Sequence, residues 1–140
     1  MTRSLLLLAL CIACAWGSYV VEFTVQLEST KERFEVTVHP EWAPRGAARF
    51  RERVDLNFLT TIRFFRTISG FMTQFGIPGQ PTIASEWRDK KILDDPVVGS
   101  NKRGYLSFAT SGKDSRTTQV RTALAWALSF CDHPDGYASM

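Results

Sequence analysis

Cysteine is scarce in this 140-residue chain: of three, Cys11 and Cys14 fall in the first fifteen residues, and Cys131 stands alone in the remainder. Once that leading stretch is removed, no intramolecular disulfide framework can form. Asparagine occurs only at Asn57 and Asn101, neither followed two residues later by serine or threonine, so there is no N-glycosylation acceptor. The two histidines, His39 and His133, are far apart and have no cysteine or carboxylate at ligand spacing, so no metal-binding pattern exists. His39, directly before Pro40, reads as a strand-end residue. No five like charges adjoin, and no basic and aromatic residues interleave; a formal charge of +3, from 17 basic and 14 acidic residues, is spread along the chain. That distribution argues against a nucleic-acid surface. Internal repeats, low-complexity blocks and a retention signal at Ala138-Ser139-Met140 are also lacking.

Long apolar runs are missing too. The one concentrated stretch, Leu5 to Ala15, falls short of the roughly 20 apolar residues that cross a bilayer. With Arg3 ahead of it and small residues at Ala13, Ala15 and Gly17, it has the layout of a secretory signal peptide over residues 1–17, cleaved after Ala15 or Gly17. The chain is thus expected in the secretory pathway, in the endoplasmic reticulum lumen or secreted, with no membrane attachment after cleavage.

What remains suffices for one packed domain, since 44% of the residues are hydrophobic and 12% aromatic. Tyr19 to Glu28 alternates Val21, Phe23, Val25 and Leu27 with polar residues, and Phe34, Val36 and Val38 repeat the alternation. These are two half-buried strands, joined by the polar Ser29-Thr30-Lys31-Glu32 as an antiparallel hairpin. His39-Pro40 ends the second strand, and Pro44 suits the first turn of a helix. Ala47, Phe50, Val54 and Phe58 then place an apolar stripe on a helix from Pro44 to Leu56. Arg45, Arg49, Arg51 and Arg53 are expected on its solvated faces.

Two short strands, Ile62 to Ile68 and Phe71 to Phe75, meet at Ser69-Gly70. Their register aims Arg66, Met72 and Gln74 at one face. Residues 76–104 form a long excursion with one short helix around Thr82 to Lys91, pinned by Trp87. Within it the adjacent carboxylates of Asp94 and Asp95 are expected to face water.

The run Phe64-x-Arg66-x-Ile68-x-Gly70-Phe71-Met72-x-Gln74-x-Gly76 places one arginine among residues suited to an apolar pocket. It resembles the active-site ribbon of the cyclophilins. The likeness is supported by Gly104-Tyr105-Leu106-Ser107-Phe108-Ala109-Thr110 and by Arg116-Thr117-Thr118-Gln119-Val120. It covers Val20 to Val120, so residues 18–120 read as the N-terminal two-thirds of such a domain and 121–140 as an unmatched tail. The resemblance implies a mainly β fold, a cyclophilin-like antiparallel β-barrel with a capping helix, incomplete at its C-terminus.

The same resemblance implies peptidyl-prolyl cis-trans isomerase activity without metal or cofactor. Arg66 would be the catalytic donor, with Phe71, Met72, Gln74, Ala109, Thr110 and Gln119 binding the substrate. Implied partners are proline-containing peptides or unfolded proteins, and cyclosporin-like ligands, taken up by a monomer. Three departures stand out: Thr110 replaces the usual asparagine, Phe65 a polar residue, and Arg121 the aromatic residue expected in the next strand. Ala123 to Phe130 could add an apolar helix or strand, but Trp126 and His133 align with no motif. Two alternatives follow from the unmatched tail: a proline-peptide binding module without turnover, and a truncated chain that does not fold.

Overall fold

The computed structural model describes residues 17–123 and 137–139. The expected leader, both of its cysteines, Trp126, Cys131, His133 and nearly all of the Ala123 to Phe130 segment lie outside the described residues.

Strands β1 (Tyr19–Gln26) and β2 (Lys31–Val38) form the hairpin that the alternation predicts, pairing antiparallel from Tyr19 with Val38 to Gln26 with Lys31. This register sets Phe23 opposite Phe34, whose rings stack at 4.9 Å, and sends Phe34, Val36 and Val38 into the core. A third strand, β7 (Tyr137–Ser139), runs parallel to β2 along Glu35–Thr37 and leaves β1 at the edge.

Helix α1 (Pro44–Asp55) begins with proline in its first turn and buries Ala47 and Phe50 against β2 and the second sheet. That sheet contains β3 (Arg66–Ile68), β4 (Met72–Phe75), β5 (Leu106–Phe108) and β6 (Val120–Ala123), in the antiparallel order β3-β4-β6-β5. Its inner face contributes Phe75, Val120, Phe108 and Leu106 to the core. Among the described residues the two sheets share no strand, so the expected barrel is not closed. A cleft of about 810 Å³ opens where Val21, Phe23 and Val25 of β1 face Leu59, Ile62 and Phe64.

Two expectations about polar residues are corrected. Ala43, before α1, offers no side-chain cap; the carboxylate of Asp95 supplies one, accepting from the backbone N–H of Arg45 at 3.0 Å and of Gly46 at 2.9 Å. Buried there and paired with Arg116 Nη1 at 3.0 Å, Asp95 does not face water. Its negative charge meets the orphan donors and positive end of the helix, which offsets the desolvation. Asp94 is partly exposed and sits 3.1 Å from Arg116 Nε. Helix α2 (Pro81–Arg88) presents Trp87, which packs on Phe58 at 5.0 Å, under Arg49 and Lys90, and pins the excursion as expected.

Arg53 is the second correction: it is fully buried, whereas the neighbouring Arg51 is exposed. Its Nη1 donates to the carbonyl of Thr118, and its guanidinium lies over the rings of Phe50 and Phe108 at 5.3 and 5.0 Å. Nε and Nη2 have no hydrogen-bond partner among the described residues. Burial, reinforced by the charge of Arg49, lowers its pKa from the usual arginine range to about 9, still above neutral pH, so the side chain enters the core as a cation. A buried cation with two unsatisfied donors is a poor stabiliser compared with an apolar side chain of similar length. Arg53→Met is therefore expected to leave stability within about 1 kcal/mol of the parent or raise it, whereas Arg53→Ala opens a cavity and loses about 3 kcal/mol. Urea denaturation of both variants checks this; a large loss in Arg53→Met would show that the Thr118 contact outweighs desolvation.

Candidate functional site

Strands β3 and β4 join through a tight turn in which Phe71 N–H donates to the carbonyl of Ile68 at 3.0 Å. Gly70 takes a left-handed φ of 70° there, a conformation that glycine adopts without the Cβ clash of other residues. The turn sets the register Arg66 with Gln74, Thr67 with Thr73, and Ile68 with Met72. Directly opposed residues share a face, so Arg66, Ile68, Met72 and Gln74 lie together, as the sequence predicts. Thr67 and Thr73 occupy the other face, their hydroxyls 3.3 Å apart.

Strand β6 extends this face. Gln74 pairs with Arg121 and Met72 with Ala123, while Arg121 pairs in turn with Ser107 of β5. One row of side chains therefore crosses four strands in the order Arg66, Gln74, Arg121, Ser107. Gln119, two residues before Arg121, falls on the same side, and its Oε1 accepts from Gln74 Nε2 at 2.7 Å. This bond engages the amide nitrogen of Gln74 and the amide oxygen of Gln119, and so holds the two amides relative to each other. The Gln119 carbonyl accepts from the N–H of Ala109 at 2.9 Å, tying the end of β5 to the row.

The expected site residues are thus partly brought together. Arg66, Met72, Gln74 and Gln119 share one face, and Ala109 borders it. Phe71 lies in the turn, one residue before β4, and is 50% exposed. Thr110 follows Ala109 as an exposed residue at the margin. Met72 and Gln74 are buried, whereas Arg66 is exposed and has neither a hydrogen bond nor an ion pair with any described residue. Around it Phe64, Phe65, Ile68 and Phe71 are each between 37 and 50% exposed. An unpaired guanidinium within an apolar rim suits a ligand that offers one acceptor and apolar bulk. Among the described residues no group of three His, Cys, Asp or Glu could hold a metal ion, and no helix is long and apolar enough to cross a membrane.

Sequence reasoning missed the facing position of Arg121; counting alternate residues onward from Gln119 would have found it. It also missed Thr118 as a junction. The Thr118 carbonyl accepts from Arg53, and Gly76, at the end of β4, packs against it. The backbone leading into Gln119 is thereby held from both sides.

This ribbon, with its arginine opposite a glutamine that a second glutamine orients, is the arrangement expected of a cyclophilin-type isomerase. The family model for cyclophilin-type peptidyl-prolyl cis-trans isomerases matches residues 23–123, and the chain belongs to that family. Peptidyl-prolyl cis-trans isomerase-like 2 of Emericella nidulans is 29% identical over 97 residues, covering 67% of this chain and 17% of that protein. The protein of the same name from Gibberella zeae is 28% identical over the same length. Peptidyl-prolyl cis-trans isomerase B of Bacillus subtilis is 29% identical over 87 residues, 62% of this chain and 61% of that protein. The chain therefore spans about a sixth of the length of the fungal relatives and three-fifths of the bacterial one.

Proposed function

We propose that this chain catalyses cis-trans isomerisation of Xaa-Pro peptide bonds, with Arg66 as the catalytic residue. Resonance in the amide sets a rotational barrier of about 18–20 kcal/mol. Anything that localises the lone pair on the prolyl nitrogen lowers it. A guanidinium donating to that nitrogen as it becomes pyramidal binds the twisted state better than either planar state, which is the condition for catalysis. Arginine suits the task through its permanent charge and several planar donors. Gln74, held by Gln119, would orient the arginine and the peptide carbonyl; Met72 and Phe71 would receive the proline ring; Ala109 and Thr110 would flank the peptide backbone. The observation that carries this reading is the pairing of an uncommitted Arg66 with Gln74 across β3 and β4.

Exchange NMR on an unstructured Xaa-Pro peptide tests it. Cross-peaks between cis and trans signals are expected to grow faster with catalytic amounts of protein; equal exchange with and without it would overturn the reading. A second reading, peptide binding without turnover, is favoured by Arg121 standing where a pocket aromatic is expected, and the same sample titrated with peptide separates the two. Residues 18–120 would form the working domain and act in the secretory pathway as a monomer, on unfolded clients and proline-containing peptides. A leader over residues 1–17 supports this location, and an intact mass beginning at Trp16 or Ser18 in the secreted product would be its mark.

A further inference from the structure

We propose that Arg121 makes this site a reader of negative charge, selecting Xaa-Pro peptides that carry an anionic group on the residue next to the proline. The inference rests on the isomerase reading for the location of the proline, and on the structure for the charge. In the row across the sheet, Arg66 and Arg121 flank Gln74, one on each side. Adjacent strands lie about 4.8 Å apart, so the two backbones are separated by roughly 10 Å, and two long side chains can meet above the glutamine between them.

Neither arginine is neutralised by a described residue. Arg121 is half-buried, and its Nε makes one long hydrogen bond, 3.4 Å to the neutral Ser107 Oγ. Arg66 makes none. The other described residues of this face are Ile68, Met72, Gln74, Ser107, Ala109 and Gln119, with no carboxylate on β3, β4, β5 or β6. Several cations on other elements do have a carboxylate partner: Arg33 pairs with Glu22, Arg49 with Glu52, Arg51 with Asp55, Lys90 with Glu86, and Arg116 with Asp94 and Asp95. Two unmatched guanidinia on one face repel each other and offer planar donor forks, which carboxylate or phosphate oxygens fit bidentately.

Position narrows the ligand. Arg121 lies diagonally from Met72, which pairs with the next residue but one of β6. A proline ring against Met72 therefore brings the side chain of a neighbouring peptide residue within reach of Arg121. An apolar residue at that position would merely widen the proline slot; an arginine rewards an acidic neighbour.

Three peptides differing only before proline test the inference: Ala-Glu-Pro-Phe, the uncharged isostere Ala-Gln-Pro-Phe, and the phosphoserine form. Affinity is read by NMR titration and turnover by exchange spectroscopy. The glutamate peptide is expected to bind roughly five- to tenfold more tightly than the glutamine peptide at low salt, and the preference should shrink as salt is added. It is expected to collapse in Arg121→Gln and largely survive in Arg121→Lys, so loss in the first with retention in the second excludes a merely structural effect. A larger gain with phosphoserine than with glutamate identifies phosphate as the favoured anion; an equal or smaller gain identifies carboxylate. Equal affinity for the glutamate and glutamine peptides overturns the inference, as does a preference that Arg121→Gln leaves intact. Charge-selective binding without faster exchange would sustain it while removing isomerase activity, and fast exchange blind to charge would do the reverse.

Discussion

Arg66→Ala is expected to lower kcat/KM for Xaa-Pro exchange by roughly 10²–10³-fold while leaving the melting temperature almost unmoved. The two halves of this result have separate causes. Arg66 is exposed on β3 and makes no hydrogen bond or ion pair with a described residue, and surface substitutions of that kind shift stability by no more than about 0.5 kcal/mol. Its proposed donation is made to a nitrogen that accepts only in the twisted state, so its loss falls on the barrier. One donor aimed at developing charge contributes about 2.7–4 kcal/mol, which is the rate factor given. Arg66→Lys keeps the charge but loses the planar fork and should fall between parent and alanine variant. Exchange NMR and a thermal melt on the same preparations decide the matter. Parental exchange in Arg66→Ala would remove this residue from the chemistry, and a collapse of the melt would turn it into a structural residue.

Gly76→Ala carries the largest expected effect on folding, a loss of about 3 kcal/mol or more and a fall in Tm on the order of 10 °C. Gly76 has a φ of 104°, where any other residue is strained. A Cβ built on it would lie 2.5 Å from the carbonyl oxygen of Thr118 and 3.1 Å from the Cα of Gln119. Both are backbone atoms, so no side chain can swing aside to make room. The Thr118 carbonyl is also the acceptor for buried Arg53, and the strand it leads into carries Gln119. Displacement would therefore disturb the Gln74–Gln119 pair and slow exchange in whatever fraction still folds. A variant that melts within about 2 °C of the parent would contradict this packing.

Elements whose periodicity coincides with burial could be read from the sequence alone. β1 and α1 lie within two residues of their predicted limits, and β2 ends at the predicted Val38 but starts three residues earlier than Phe34, because Val21, Phe23 and Val25, then Phe34, Val36 and Val38, then Ala47, Phe50 and Val54 fall at spacings of two or of three and four. The sequence places Ile62 to Phe65 within a strand, yet the ladder holds only Arg66–Ile68. Apolar residues at those positions favour a strand locally, but pairing requires a partner, and the turn at Gly70 and the register with β6 set where partners exist. Arg53 was illegible for another reason. It sits beside the apolar stripe of α1, and nothing local distinguishes an arginine that snorkels to water from one that meets a carbonyl 65 residues away. Asp95 likewise caps a helix some fifty residues earlier, a contact that no short-range rule contains.

For the site, the motif delivered Arg66, Met72, Gln74 and Gln119 to one face. It also marked Arg121 as a departure, but only the β4–β6 register showed that the departure lies in the middle of the row.

The excursion between β4 and β5 is held in an unusual way. Arg49 of α1 donates to the carbonyl of Lys90, Arg45 to that of Asp94, and Arg116 to that of Leu93. Three guanidinium groups thus grip main-chain oxygens, which every residue type possesses. At Lys90 and Leu93 the side chain could change greatly without loosening the grip. Deleting or inserting a single residue there would slide each oxygen past its arginine and pull Asp95 away from the start of α1. In this segment the spacing of the chain carries more structural information than its spelling.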